Sequence, residues 1–512
     1  MFTIYDLFRS AVQDYPDSPA IICQDCSLNY KELDDQVNTL TDSLLRWGIG
    51  KGDRVGIYYP NSTLYPVLLY ALNRIGAVFV PFNTRLNKEE IVSLINLTDC
   101  QFIIFDTRFG KTGIDASEEC PDVKMFIPGC ESGILSCKKE APVILAPGEC
   151  IERSPEDEGL IIFTGGTTSS GSGVIVTQGA LTDRVTMKFR DDQRTVHSDI
   201  MLNHAPLFHT GGLSLMIQTL SAGGCFVMSE KLDPDAIVSD CEKYRITQLA
   251  MIPPSNIYRI EEAQKRLNKD LSSVSLCIMA GGKTDPEIAE KTFSLFPNTK
   301  LYLNYGSSEN AITLGHIMSR KDSMEKPWRL NSSGVPNMQS FIRLLDEDGN
   351  EVPVGESGEA WGKSPAMMKS YLSGQTPFAN GWFPTGDIFR KDEDGFYYFI
   401  CRKKNMIKSG GENVFAEEVE AVIKEYPPVK DCVVFGLSDR QYGELVSAAI
   451  ICSQGEHCDP QELLAFCREK IASYKKPRKI FFVEEFPVSA VGKISRRKLV
   501  DMLKAQEPDY SI

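Results

Sequence analysis

Short runs of β-branched and aromatic residues alternate along the chain with longer stretches whose apolar positions recur every three or four residues. The runs at residues 54–59, 77–81, 102–105, 160–163, 276–279 and 301–304 read as buried strands, being too short for helices and nearly free of polar interruptions. Between several of them lie amphipathic segments such as residues 30–47, where Leu33, Val37, Leu40, Leu44 and Leu45 share one helical face. Strand and helix in alternation predict an α/β fold with largely parallel sheets. The longest apolar stretch, residues 64–82, is broken by Pro66, Asn73, Arg74, Gly76 and Pro81. It reads as helix, turn and strand, because a membrane span needs about 20 apolar residues with few interruptions.

Past residue 340 the pattern shifts to short strands and turns, with strand-like runs at residues 341–345, 355–362 and 395–400 and a turn over residues 346–350. After Arg402 the charged segment Lys403-Lys404-Asn405 leads into a βαβ-like pattern, with helices over residues 417–426 and 460–471 and strands over 432–437 and 446–452. A boundary is therefore expected at residues 402–406, giving domains 1–404 and 405–512, the second large enough for a core of its own.

The 512 residues amount to about three domains' worth of chain. With 55 Lys+Arg against 69 Asp+Glu, the net charge of −14 argues against nucleic acid or an anionic membrane as partner, since both select positive surfaces. It leaves room for a local basic pocket. Fifteen cysteines, an odd number irregularly spaced, and an N-terminus without basic and apolar blocks predict a reducing, cytoplasmic setting. Cys23 and Cys26 form a C-x-x-C with no second pair nearby, and with five histidines in the chain they read as ordinary thiols.

The stretch with most chemistry runs from strand 160–163 into Thr164, Gly165, Gly166, Thr167, Thr168, Ser169, Ser170, Gly171, Ser172 and Gly173. Glycines let backbone N–H groups approach an anion and hydroxyls add donors, so such a loop suits phosphate oxygens, although it lacks the Walker spacing. Further along come Asn304-Tyr305-Gly306-Ser307-Ser308-Glu309, then Gly381-Trp382-Phe383-Pro384-Thr385-Gly386-Asp387, and then Arg402. Asn405-Met406-Ile407-Lys408-Ser409-Gly410-Gly411-Glu412-Asn413-Val414 follows, and Pro487-x4-Gly492-Lys493-Ile494-Ser495-Arg496 closes the series.

In this order the motifs resemble the adenylate-forming superfamily of acyl-CoA synthetases, carrier-loading adenylation domains and beetle luciferases. The segment from Asn405 is most similar to bacterial carboxylic acid–CoA ligases. The resemblance covers nearly the whole chain. It implies a large composite N-terminal domain, with two αβ subdomains and a β-rich one, and a small mobile C-terminal α+β domain. It implies ATP, Mg²⁺ and coenzyme A as cofactors and a small carboxylic acid as substrate. By position, residues 164–169 and the rest of the loop would clasp the ATP phosphates, Glu309 would bind magnesium and Ser308 would contact the α-phosphate. Asn304, Tyr305, Gly306, Ser307, Gly282 and Lys283 would line the nucleotide. Asp387 would take both ribose hydroxyls with Arg402 beside it, a geometry suited to a carboxylate's two acceptor oxygens. Lys493 would stabilise the charge that builds as pyrophosphate leaves. His209, Gly281, Gly282, Lys283 and Ser307 would border the acyl group. Asn405 would be the hinge, and Lys408, Gly410, Gly411 and Glu412 would serve the thioester step.

The chain departs from the family at three places: Gly171-Ser172-Gly173 replaces Pro-Lys-Gly, Ser169 replaces a glycine, and Ala416 replaces a proline. Losing a lysine near the pyrophosphate predicts weaker ATP binding or turnover than the family norm. Lys283, where small residues are common, reads either as a solvated lysine at a helix start or as a partner for a polar substrate. The alternatives to a CoA synthetase are an enzyme loading a carrier-protein pantetheine and a non-catalytic nucleotide- or acyl-binding relative.

Overall fold

The computed structural model describes every residue except 1, 131–132, 135–144, 146–148, 164–172, 187–194, 310–311, 410–411, 441, 454, 489–493, 505 and 512. The expected strands form where the sequence puts them: Arg54–Tyr58, Val78–Pro81, Phe102–Asp106, Glu158–Phe163, Leu276–Met279 and Lys300–Gly306. The chain divides into two compact units, Met1–Ile342 with Gly362–Phe383, and Arg343–Trp361 with Pro384–Ile512.

The first unit holds two sheets. Among the described residues the larger has nine strands and the other eight. In the first, Pro19–Cys23, Cys225–Met228, Ile200–Asn203, Gln248–Met251, Leu276–Met279 and Lys300–Gly306 run parallel, and antiparallel strands close both ends. In the second the parallel set is Glu158–Phe163, Val78–Pro81, Arg54–Tyr58, Phe102–Asp106 and Met125–Cys130. One hydrophobic core joins residues of both sheets to the helices Ile4–Asp14, Tyr30–Arg46, Leu64–Ile75 and Thr210–Ser221. Leu64–Ile75 is apolar nearly all round and buried at every position, as a helix enclosed by other elements requires. The helix Tyr30–Arg46 starts at a capping box, Asn29 accepting from Glu32 N–H and Glu32 from Asn29 N–H, which satisfies two of the free donors at its first turn.

Most of the antiparallel sheet of Phe341–Leu345, Ser357–Lys363, Phe383–Lys391 and Tyr397–Arg402 falls in the second unit. That unit also contains a sheet built on the long hairpin Val429–Asp439 and Gly443–Cys452. Gly443–Cys452, the helix Pro460–Lys470 and the parallel strand Lys479–Phe482 form a βαβ step, of which the sequence pattern predicts the first two elements but not the closing strand. Ile407, Val419, Ile423, Val446, Leu463 and Ile480 pack in its core.

Candidate functional site

Four adjacent parallel strands of the first sheet, Ile200–Asn203, Gln248–Met251, Leu276–Met279 and Lys300–Gly306, end on one edge. Ligands of open parallel sheets bind outside the carboxyl ends of the strands. Residues 204–210, 252–256, 280–283 and 307–309 follow those ends, and they touch. Thr210 Oγ1 and Ser308 Oγ lie 3.0 Å apart. Asn256 Nδ2 is 3.1 Å from His204 Nε2. Gly281 has φ +74°, a left-handed conformation that favours glycine, and a Cβ there would stand 3.3 Å from Ile252 Cγ2. At Gly212, in the first turn of Thr210–Ser221, a Cβ would meet the Pro206 carbonyl oxygen at 2.8 Å, so only glycine lets the helix start against that loop.

His209 stands at the N-cap position of the same helix without a side-chain capping bond, half-buried, its ring edge-on to Phe208 with centroids 4.6 Å apart. Gly281, Gly282 and Lys283 are exposed, ahead of the helix Pro286–Leu295 that Asp285 caps. Asn304 donates to the Leu314 carbonyl at 3.0 Å and to Tyr302 Oη at 3.2 Å, within the hairpin of Lys300–Gly306 and Thr313–Met318. Tyr305 and Gly306 are the last pairs of that hairpin, opposite Leu314 and Thr313, and Ser307 follows half-buried. Glu309 Oε1 accepts from Tyr371 Oη at 3.0 Å, and its main-chain oxygen accepts from Met368 N at 3.0 Å. Burial first, and the Glu309 charge second, push the Tyr371 hydroxyl upward, so it stays a donor.

Arg184 was not foreseen as a site residue. Its Nε donates to Ala366 O at 3.0 Å and its Nη2 to Ser308 O at 2.9 Å. Burial lowers its guanidinium to about 10, against the opposing pull of Glu309. The signal lay in the helix Gln178–Thr186, where Arg184 falls in phase with Ala180, Leu181 and Val185 on the buried face.

In the second unit Asp387 and Arg402 oppose each other on paired strands, with Arg402 Nε 2.8 Å from Asp387 Oδ1. Asp387 is 1% exposed. Its N–H donates to Thr385 Oγ1 at 3.1 Å, and that hydroxyl donates to Ala360 O at 2.7 Å. Asn405 Nδ2 donates to Glu417 Oε1 at 2.9 Å. Lys408 N donates to Glu444 Oε2 at 2.8 Å and Lys408 Nζ to Glu347 Oε1 at 2.9 Å, while Glu412 is exposed. Arg496, three positions after Lys493, reaches Glu420 at 2.7 Å and Glu417 at 3.5 Å. The phosphate loop Thr164, Gly165, Gly166, Thr167, Thr168, Ser169 through Ser172 lies outside the described residues, as do Gly410, Gly411 and Lys493.

The donor set fits magnesium bound with a nucleotide. Among the described residues no group of three His, Cys, Asp or Glu side chains forms a cage for a metal ion. Glu309 offers a single hard carboxylate, with no partner for Oε2 among those residues, and Mg²⁺ commonly takes one or two carboxylates, waters and substrate phosphates. Among the described residues, no helix is long and apolar enough to cross a membrane.

The AMP-binding enzyme family matches residues 8–372, and the AMP-binding enzyme C-terminal domain matches residues 418–493. Feruloyl-CoA synthase from Amycolatopsis sp is 30% identical over 490 residues, 94% of each chain. The 2-succinylbenzoate–CoA ligase of Bacillus cereus strain Q1 is 30% identical over 499 residues, 96% of each chain. The o-succinylbenzoate CoA synthetase of Bacillus subtilis, solved in complex with the acyl-adenylate intermediate OSB-AMP, has the same fold, with a TM-score of 0.80 at 24% identity over 98% of this chain and 99% of that one. The motif order, the edge at which Ser308 meets Thr210, and two family matches in sequence lead to one assignment: the chain belongs to the AMP-binding enzyme family.

Proposed function

We propose that this chain is an ATP-dependent acyl-CoA synthetase. A carboxylate oxygen attacks the α-phosphorus of ATP, the bond to the β-phosphate breaks and pyrophosphate leaves, giving acyl-AMP. The sulfur of CoA then attacks the acyl carbon, its proton passes to solvent, the acyl–oxygen bond breaks and AMP leaves. The detour is chemically required, since a carboxylate is a poor acyl donor and AMP a good leaving group. The observation that carries the reading is the carboxyl edge of the first sheet, where the Thr210–Ser308 hydroxyl pair stands beside a Glu309 already oriented by Tyr371.

Glu309 would hold magnesium, which when bound would offset charge on the phosphate oxygens. The Ser308 hydroxyl donates to the α-phosphate, and residues 164–173 clasp the terminal phosphates. Asp387, held by Arg402, accepts the ribose hydroxyls. His209, Gly281, Gly282 and Ser307 border the acid, and Gly282, Lys283, Asn304, Tyr305 and Gly306 line the nucleotide. Lys493 stabilises the adenylation transition state, and Lys408, Gly410, Gly411 and Glu412 serve thioester formation after rotation at Asn405, the pivot between domains 1–404 and 405–512. The setting is cytoplasmic, and the acceptor is coenzyme A.

The test is ATP–pyrophosphate exchange over a panel of aliphatic, aromatic and polar acids, ferulate and 2-succinylbenzoate included, followed by AMP release with CoA or a phosphopantetheinyl carrier as sole thiol. Exchange with at least one acid and thioester with CoA are expected. No exchange with any acid would overturn the enzyme reading, and thioester with the carrier alone would overturn CoA as acceptor.

A further inference from the structure

A buried arginine is kept where a fixed fork of donors does what an apolar side chain cannot. Arg184 is 4% exposed, and its guanidinium joins two segments far apart in sequence, through Ser308 O at 2.9 Å and Ala366 O at 3.0 Å. Both segments hold Glu309. Ser308 precedes it directly. Met368, two positions after Ala366, donates to its main-chain oxygen, and Tyr371 in the same segment donates to its Oε1. Nη1 of Arg184 is buried with no partner among the described residues. The sequence of residues 164–173 contains neither lysine nor arginine, so the loop itself supplies no cation to the nucleotide.

We propose that Arg184 is a positioning residue for the metal–triphosphate end of the nucleotide: it clamps the Ser308–Glu309 peptide to residues 366–371, so that the second oxygen of Glu309 is presented to the metal. The proposal rests on the reading of Glu309 given above. It separates a role in the site from a role in packing, because a residue that only fills the core supports AMP and Mg·ATP binding alike. A residue that orients the metal ligand matters most when the metal and the outer phosphates are present, since AMP keeps only the Ser308 contact.

The experiment is calorimetric titration of the full chain with Mg²⁺ and α,β-methylene-ATP, and separately with AMP without metal, for the wild type, Arg184→Gln and Arg184→Lys. Arg184→Gln is expected to weaken the Mg²⁺-nucleotide by about tenfold, the scale of one charge-assisted hydrogen bond lost, and to leave AMP within about twofold. Arg184→Lys, which keeps the charge but not the fork, is expected to fall between. Equal losses for both ligands, or none for either, would overturn the proposal. If Arg184→Gln does not fold, Arg184→Lys decides on the same ratio. Wild-type protein that binds AMP but discriminates neither Mg²⁺ nor the outer phosphates would overturn the reading of Glu309, and the inference with it.

Discussion

His204 is 4% exposed, and its Nε2 faces Asn256 Nδ2, which also donates to Ile252 O at 3.2 Å. That second bond orients the amide, so Nε2 accepts and the neutral ring carries its proton on Nδ1. Protonation would set two donors against each other in a buried place, and burial drives the group down to about 4. The buried His316 is lowered to about 4 by the same cause. For both, the unfolded chain binds the proton first as pH falls, so stability rises with pH between about 4 and 6.5. Each contribution is complete above the unfolded value and is lost on descending through the window, on the order of 3 kcal/mol per histidine. Urea midpoints measured from pH 7 to pH 4.5 should therefore fall. In His204→Gln the fall should be shallower by about one proton's worth, even though the variant is weaker overall. Parallel slopes for the two proteins would count against a neutral His204.

At the scale of elements, the chain after Arg402 is tied to one helix. Asn405 ends a short 3₁₀ turn and donates to Glu417, and Glu417 with Glu420, both on Ala416–Ile423, meets Arg496 at the start of Arg496–Leu503. If Asn405 is the pivot, Asn405→Pro fixes its φ near −65° and holds the chain in one arrangement. One half-reaction, exchange or thioester formation, should then drop at least about tenfold more than the other, as expected when a conformational step gates only one of them. Equal losses would point to a folding defect. The elements were legible in the sequence wherever one periodicity ruled. Parallel strands buried on both faces read as unbroken apolar runs, and Tyr30–Arg46 shows its apolar face directly. Ser370–Tyr371 was not legible. Its two residues carry no periodicity, and it is a strand only because it pairs with Gly173–Thr177. For the proposed site, Ser308, Glu309, Asp387 and Arg402 came from the family resemblance of their motifs, whereas Arg184 escaped because its partners are backbone carbonyls, which no residue type announces.

For the whole molecule, the balance of −14 stands beside a proposed reaction that handles two polyanions, so the few cations that would meet them must be placed one by one. In the proposed mechanism Lys493 is the one given to chemistry, and a two-step ligase would make a sharp demand of it. Its charge is needed while negative charge grows around the α-phosphorus, and it has no such task once acyl-AMP exists and the thiol attacks carbon. Lys493→Ala should therefore slow pyrophosphate exchange by about a hundredfold or more, the scale of removing one preorganised donor to a transition-state charge. Thioester formation from chemically prepared acyl-AMP and CoA should stay within a few-fold of wild type, because that step breaks the bond to AMP without a pyrophosphate leaving group. Both assays run on the same preparation, so a misfolded variant would lose both and a spectator lysine would lose neither. Only the split between them is what an adenylating lysine produces.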